Sequence, residues 1–325
     1  MESPQPGIRD TQLPRFAPHG LRKAKERKRP VKRFSKVLLA LAAALVISPT
    51  ALADGFVIYN NISNPLPPNV PSEPYEAVQS GEFGGLIQFA GGGSSYSLAS
   101  ATVAMSDWAL ASTYTSSINN SLITIANSGY SATSSGFYVP LTLNLYNVGA
   151  SNSVGSLFAT ETVDAFIPWR PEADGSCGSG YSSGGACYNG SLSTVTFNLA
   201  GVGSPGQIIY SLAFNTTDYG ASPTGVAGPY DSLNLGLSVT SPSVGSNPLP
   251  GTAYWETSTA GWYADGGAGG VGTLRQDTGW TPYSGEIEFT STPEPSSLLL
   301  LSTGLLGLAG IVFRKTRTSD LVLHS

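Results

Sequence analysis

Between Asp54 and Ser291 the sequence has no histidine and no lysine, and its only cations are Arg170 and Arg275. Both histidines of the chain, His19 and His324, lie outside that stretch. A region without imidazole cannot run Ser-His-Asp or Cys-His catalysis, nor hold zinc or copper through histidine. Sixteen acidic side chains face the two cations, a formal −14 that the whole-chain value of −5 conceals. Such a region lacks the positive charge that neutralises phosphates, which excludes nucleic acid and anionic lipid as partners by charge. Charged residues are few and aromatic and β-branched ones plentiful, so disorder is excluded too.

Cysteine is nearly absent. Cys177 and Cys187 stand ten residues apart in a Gly/Ser-rich stretch. In an oxidising compartment the expected state is a disulfide, worth ~3 kcal/mol on the chain-entropy view; two buried free thiols are the alternative. With no CxxC and no neighbouring histidine, redox catalysis and zinc binding are not expected.

The basic residues are concentrated at the ends. Residues 1–36 hold eleven of the sixteen Lys and Arg, and an apolar run of eleven, Val37 to Ile47, follows. Ser48-Pro49-Thr50 then leads to Ala51-Leu52-Ala53. A basic segment, a short apolar segment and an A-x-A site describe a secretory signal peptide cut after Ala53, residues 1–53, with Val31 as an alternative translation start. A nucleic-acid-binding arm over residues 9–36 is the competing reading, and its place directly before the apolar run argues against it. At the other end Pro293-Glu294-Pro295 leads into the almost uncharged run Ser296–Phe313, closed by Arg314-Lys315-Thr316-Arg317. As a helix that run covers roughly 24–27 Å, close to the ~30 Å of a hydrocarbon core. Gly304, Gly307, Ala309 and Gly310 suit a membrane helix, and the basic cluster prefers the cytoplasmic side. A buried helix of a soluble domain is the competing reading. The preceding domain is therefore expected on the far side of the membrane, and 318–325 as a short cytoplasmic tail.

The order of Pro-Glu-Pro, apolar helix and basic cluster over residues 292–317 resembles the PEP-CTERM sorting signal. That resemblance implies recognition by an exosortase, a membrane cysteine transpeptidase. It assigns Pro293, Glu294 and Pro295 as the sorting motif and Arg314, Lys315 and Arg317 as the cytoplasmic stop. It further implies an exported protein, held by its C-terminal helix and then delivered to the cell surface or beyond, in company with exopolysaccharide and biofilm.

The remaining stretch, 54–291, reads as one β domain. Segments rich in strand formers recur near Phe56–Asn60, Gly85–Phe89, Ala101–Met105, Tyr138–Tyr146, Leu157–Phe166, Thr194–Leu199, Ile208–Phe214, Leu233–Val239 and Glu286–Phe289. Leu141, Leu143 and Leu145 alternate with Thr142, Asn144 and Tyr146, the pattern of a half-buried strand. Ser121–Ala126 could hold a helical turn, and Asn64–Pro74 reads as a Pro-rich loop. Many strands, turn-rich connections and little helix predict an all-β antiparallel sandwich of the jelly-roll kind.

Candidate sites in the domain are few. Gly180-Tyr181-Ser182-Ser183-Gly184 fits G-x-S-x-G without a histidine to activate the serine. Gly267 to Gly272 fits G-x-G-x-x-G with neither a clear strand before it nor a helix after it. Paired carboxylates are the remaining hydrolytic option. Glu286 with Glu288, on one strand face, and Glu161 with Asp164 are the pairs in view; acids on a wet sheet face explain both equally. Acidic oxygens could hold Ca²⁺, but no EF-hand or RTX spacing is present, and no metal or other cofactor is assigned. Tyr254, Trp255, Trp262, Tyr263, Trp280 and Tyr283 crowd into one Gly- and Thr-rich stretch. Trp255, Trp262 and Trp280 could stack on sugar rings in a lectin-like module, or fill the core and cover the sandwich ends. The expectation is a non-enzymatic exported protein with a structural or adhesive role, with a carbohydrate-binding module and a glycoside hydrolase as alternatives.

Overall fold

Leu141, Leu143 and Leu145 are fully buried, while Thr142, Asn144 and Tyr146 between them stay half-exposed. Strict alternation over a long segment forces one face inward, and that face is the start of a core. The computed structural model describes residues 55–91, 95–114, 123–124, 131–221 and 223–292, with 304–305 and 307–308. Among them, two eight-stranded antiparallel sheets pack face to face.

Sheet 1 holds β1 (Phe56–Asn60), β2 (Ser72–Glu73), β4 (Tyr96–Asp107), β11 (Ser191–Asn198), β12 (Gly203–Ser204), β14 (Leu233–Ser238), β17 (Ser284–Gly285) and β18 (Ile287–Ser291). Sheet 2 holds β3 (Ser80–Gln88), β5 (Ile123–Thr124), β6 (Ser131–Ala132), β7 (Gly136–Val148), β8 (Val154–Pro168), β13 (Gln207–Ala213), β15 (Thr252–Thr257) and β16 (Arg275–Thr278). A separate hairpin, β9 (Tyr181–Ser183) with β10 (Ala186–Tyr188), carries the Cys177–Cys187 disulfide. Gly184 and Gly185, both at positive φ (58° and 83°), make its turn, a conformation glycine adopts without penalty.

The pairing is nested. β7 pairs β8, β4 pairs β11, β3 pairs β13 and β1 pairs β18, all antiparallel. Four strands run out, four return beside them, and successive strands switch sheets: this is a jelly roll. β15 and β16, which extend sheet 2 beyond β3, have no counterpart in the sequence reading. Two further expectations are corrected. Ile123 and Thr124 form a short strand rather than a helical turn, and the Pro-rich loop contains β2, which pairs with β14.

The inner faces supply one continuous core. Val103, Phe197, Leu235 and Phe289 from sheet 1 meet Phe83, Leu143, Tyr210 and Trp255 from sheet 2. Phe289 touches Phe89 and Tyr210 edge to face, with ring centroids 5.5 and 6.3 Å apart. Burying side chains of this size contributes about 1.5–3 kcal/mol each. β18, the last strand of the domain, lies between β1 and β4 in the interior of sheet 1.

Candidate functional site

The last residues of the domain are tied firmly into the sandwich. Ser291 is 2% exposed, its hydroxyl donates to Ser97 O (2.8 Å), and Thr292 N donates to the same carbonyl (2.8 Å). The next residue is Pro293, so no linker separates a central strand from the sorting motif. Pro293, Glu294, Pro295, Arg314, Lys315 and Arg317 lie outside the described residues, as do the signal-peptide residues Ala51 and Ala53. Gly304–Leu305 and Gly307–Leu308 are helical and exposed. Among the described residues no helix is long and apolar enough to cross a membrane, and most of the expected anchor falls outside them.

The outer face of sheet 2 gathers polar side chains that are far apart in sequence. Glu82 reaches across from β3, and its Oε1 accepts from Asn144 Nδ2 (2.7 Å), Tyr146 OH (2.9 Å) and Ser211 Oγ. Thr160 Oγ1 donates to Asn144 Oδ1 (2.8 Å), and the Thr142 and Thr162 hydroxyls bond each other at 2.8 Å. Glu256 stands directly opposite Glu82 in the β15–β3 register. Burial first, and then the Glu82 charge, push the Glu256 carboxyl up. Burial and the Glu82 charge likewise raise the Tyr146 phenol. Like charges facing each other across strands are unfavourable, and no cation of the domain relieves this pair. Sequence reasoning missed Glu82 and Glu256 because they lie far apart in the chain and meet only through the β15–β3 pairing.

The carboxylate pairs expected from sequence are taken apart. Glu286 is fully buried while Glu288 is half-exposed. The ladder is irregular here: Glu286 N donates to Gly236 O, and Ile287 N donates to the Asn61 side chain. Neither carboxylate oxygen of Glu286 makes a hydrogen bond of normal geometry. Burial pushes this carboxyl up to about 7, an effect the Ser63 backbone only partly offsets. Glu161 and Asp164 project to opposite sides of β8, since Glu161 opposes buried Leu143 while Asp164 is exposed. An odd spacing on a strand cannot aim both at one substrate.

The tryptophan trio divides between the two alternatives. Trp255 is 3% exposed, and its indole donates to Ser80 Oγ (2.6 Å). Trp280 packs on Phe83 and Trp255 at 4.8 and 5.2 Å, and its indole donates to Asp277 (2.9 Å). Trp262 alone of the three is open, at 48%. Trp255 falls on the inward phase of β15 and offers no ring face to a sugar, while Trp280 packs against it half-buried. Of the other two tryptophans, Trp169 packs against the core, and Trp108 is 43% exposed.

Both arginines are used as loop clamps. The Arg170 guanidinium donates to Trp108 O (3.0 Å), Pro171 O (3.4 Å) and Ser179 O (2.9 Å), holding the disulfide loop against the sandwich. Beside it Asp107 is fully buried and accepts from Ala109 N and Arg170 N; burial still pushes it up to about 7. Arg275 forks onto Asp265 at 2.6 and 2.7 Å, donates to Gly270 O (3.1 Å) and lies 3.6 Å over the Tyr263 ring. The hydrogen bonds from Arg275 hold the Asp265 carboxyl down at about 2. The G-x-G-x-x-G stretch is thus a loop wrapped on an arginine, and β16 rather than a helix follows it. Among the described residues no cluster of three or more metal-ligating side chains occurs.

Residues 291–315 match the family model described as the PEP-CTERM protein-sorting motif. The match begins at the last residue of β18 and covers the Pro-Glu-Pro motif, the apolar run and the first two basic residues. It supports an exported, exosortase-targeted protein with an N-terminal domain of unassigned family. No curated protein and no solved structure matches the chain.

Proposed function

We propose that this chain is an exported, exosortase-processed protein of the cell envelope or extracellular matrix, with a structural or adhesive, non-enzymatic role linked to exopolysaccharide or biofilm. The observation that carries it is the sorting motif at 291–315, joined without a linker to a disulfide-bearing jelly roll. On this reading the signal peptide 1–53 starts export. The run 296–313 holds the chain in the inner membrane, with the domain on the periplasmic side. The exosortase then cuts near Pro293 and releases the domain toward the surface. Mass spectrometry of the mature C-terminus in the native host tests it. A chain ending near Thr292 or Pro293 supports transpeptidation, and retention of Arg317 would make the helix a permanent anchor.

Hydrolysis remains a second reading for one reason: Glu82 and Glu256 sit side by side across β3 and β15, with Glu256 held toward its protonated form. A retaining glycosidase needs an acid and a nucleophile about 5 Å apart. Release of reducing sugar that Glu256→Gln abolishes would establish that reading over the non-enzymatic one.

A further inference from the structure

We propose that the outer face of sheet 2, from Tyr138 and Phe166 to Glu82 and Glu256, binds a neutral, extended polysaccharide chain. This rests on the matrix role above and names its ligand. The face is a strip laid out by the β7–β8 register: Tyr138 opposite Phe166, Pro140 opposite Asp164, Thr142 opposite Thr162 and Asn144 opposite Thr160. From Tyr138 to Tyr146 it runs for roughly 27 Å at ~3.4 Å per residue, room for several sugar units. At one end Phe166 is 41% exposed and packs on Tyr138 with ring centroids 5.2 Å apart, presenting apolar ring surface to water. Sugar rings have apolar C–H faces that suit such a platform.

At the other end the chemistry is that of hydroxyl recognition. Thr142, Thr160, Thr162 and Asn144 are oriented by bonds among themselves, so their remaining donors and acceptors point in set directions. Three donors converge on Glu82 Oε1, and this carboxylate, only 8% exposed, anchors the Asn144 and Tyr146 side chains rather than meeting a ligand itself. Charge selects the kind of polymer. Glu82, Glu256 and Asp164 give the strip three acids, while both cations of the domain are committed to loops elsewhere. Acidic polysaccharides and nucleic acid are repelled. A neutral polymer rich in hydroxyls is not.

The test is affinity electrophoresis of the full chain in detergent through gels containing hydroxyethyl cellulose, dextran or galactomannan, with alginate as the acidic comparison. At least one neutral polymer is expected to retard the protein. Replacing both rings, Tyr138→Ala with Phe166→Ala, is expected to weaken retardation about tenfold, roughly what 1.4 kcal/mol of lost contact produces. Thr162→Lys, at an exposed position where misfolding is no concern, is expected to block the strip in a protein with an unchanged melting temperature. Four results overturn the proposal: retardation by no neutral polymer, retardation by alginate alone, full binding in Thr162→Lys, or loss of binding in Trp262→Ala. Fractionation of the native host separates this from the reading beneath it. A protein found outside the cell that binds no neutral polymer sinks the strip alone; a protein confined to the cytosol sinks export.

Discussion

Raising the pH from about 5 to about 8 is expected to weaken the fold, and Glu286 is the residue through which that is best measured. Its carboxyl is fully buried, lacks a hydrogen bond of normal geometry, and is raised from an ordinary 4.5 to about 7. A raised carboxyl keeps its proton in the folded state over a range where the unfolded chain has lost it. Its contribution to stability is therefore complete below about 4.5 and disappears as the pH climbs through about 7. The displacement corresponds to about 3 kcal/mol, from about 1.36 kcal/mol for each tenfold change in proton affinity. Glu73 and Asp107, also buried and also held near 7, push in the same direction. Urea unfolding followed by tryptophan fluorescence at several pH values between 5 and 8 reads the slope directly, since all five tryptophans lie in this domain. Glu286→Gln removes the titrating group at nearly constant shape and should flatten the pH dependence by about 3 kcal/mol. Stability that rises over this range, or an unchanged slope in Glu286→Gln, would refute the reasoning.

Arg275→Met should release the glycine-rich loop by removing the Asp265 fork and the Gly270 bond, seen as new proteolytic cleavage within residues 264–272 at little cost to the sandwich. Replacing Cys177 and Cys187 by Ser should lower stability by ~3 kcal/mol at most, measured against the oxidised protein, because the bridged loop is short. Phe289→Ala should cost about 3–5 kcal/mol in urea unfolding, since it removes a fully buried ring from the interior strand. Truncation after Thr292 should leave a cooperative unfolding transition, whereas truncation after Glu286 should abolish it by deleting β18 from between β1 and β4. A mature C-terminus found inside β18 would contradict that ordering.

Local chemistry explains what was legible in advance. Period-two alternation exposed β7, enrichment in strand formers exposed β8, and β1 falls on the expected residues Phe56–Asn60. Strands β15 and β16 were missed because glutamate, arginine, glutamine and aspartate leave them without an apolar alternation, and the pairing of β15 with β3 and of β16 with β15 decides their state. Glu286 looked like a wet-face acid because alternation places it on the outer phase of the sheet. Its carboxylate lies beside Gly236 and Val70, so the loop that follows β1 covers it and keeps water out. For Trp255, composition allowed either burial or display; the phase of β15 chose burial.

From its sequence alone this chain's address is readable: a sorting motif, an apolar run and basic ends act through local composition, which needs no fold to be recognised. Charge balance and the lone cysteine pair belong to the same class, because they follow from counting. Which carboxylates meet, which rings face water and where the domain stops are decided by tertiary structure. Those properties depend on strand register between segments far apart in the chain, such as β1 with β18 and Glu82 with Glu256. A shift of one residue in that register would turn every one of those side chains to the opposite face.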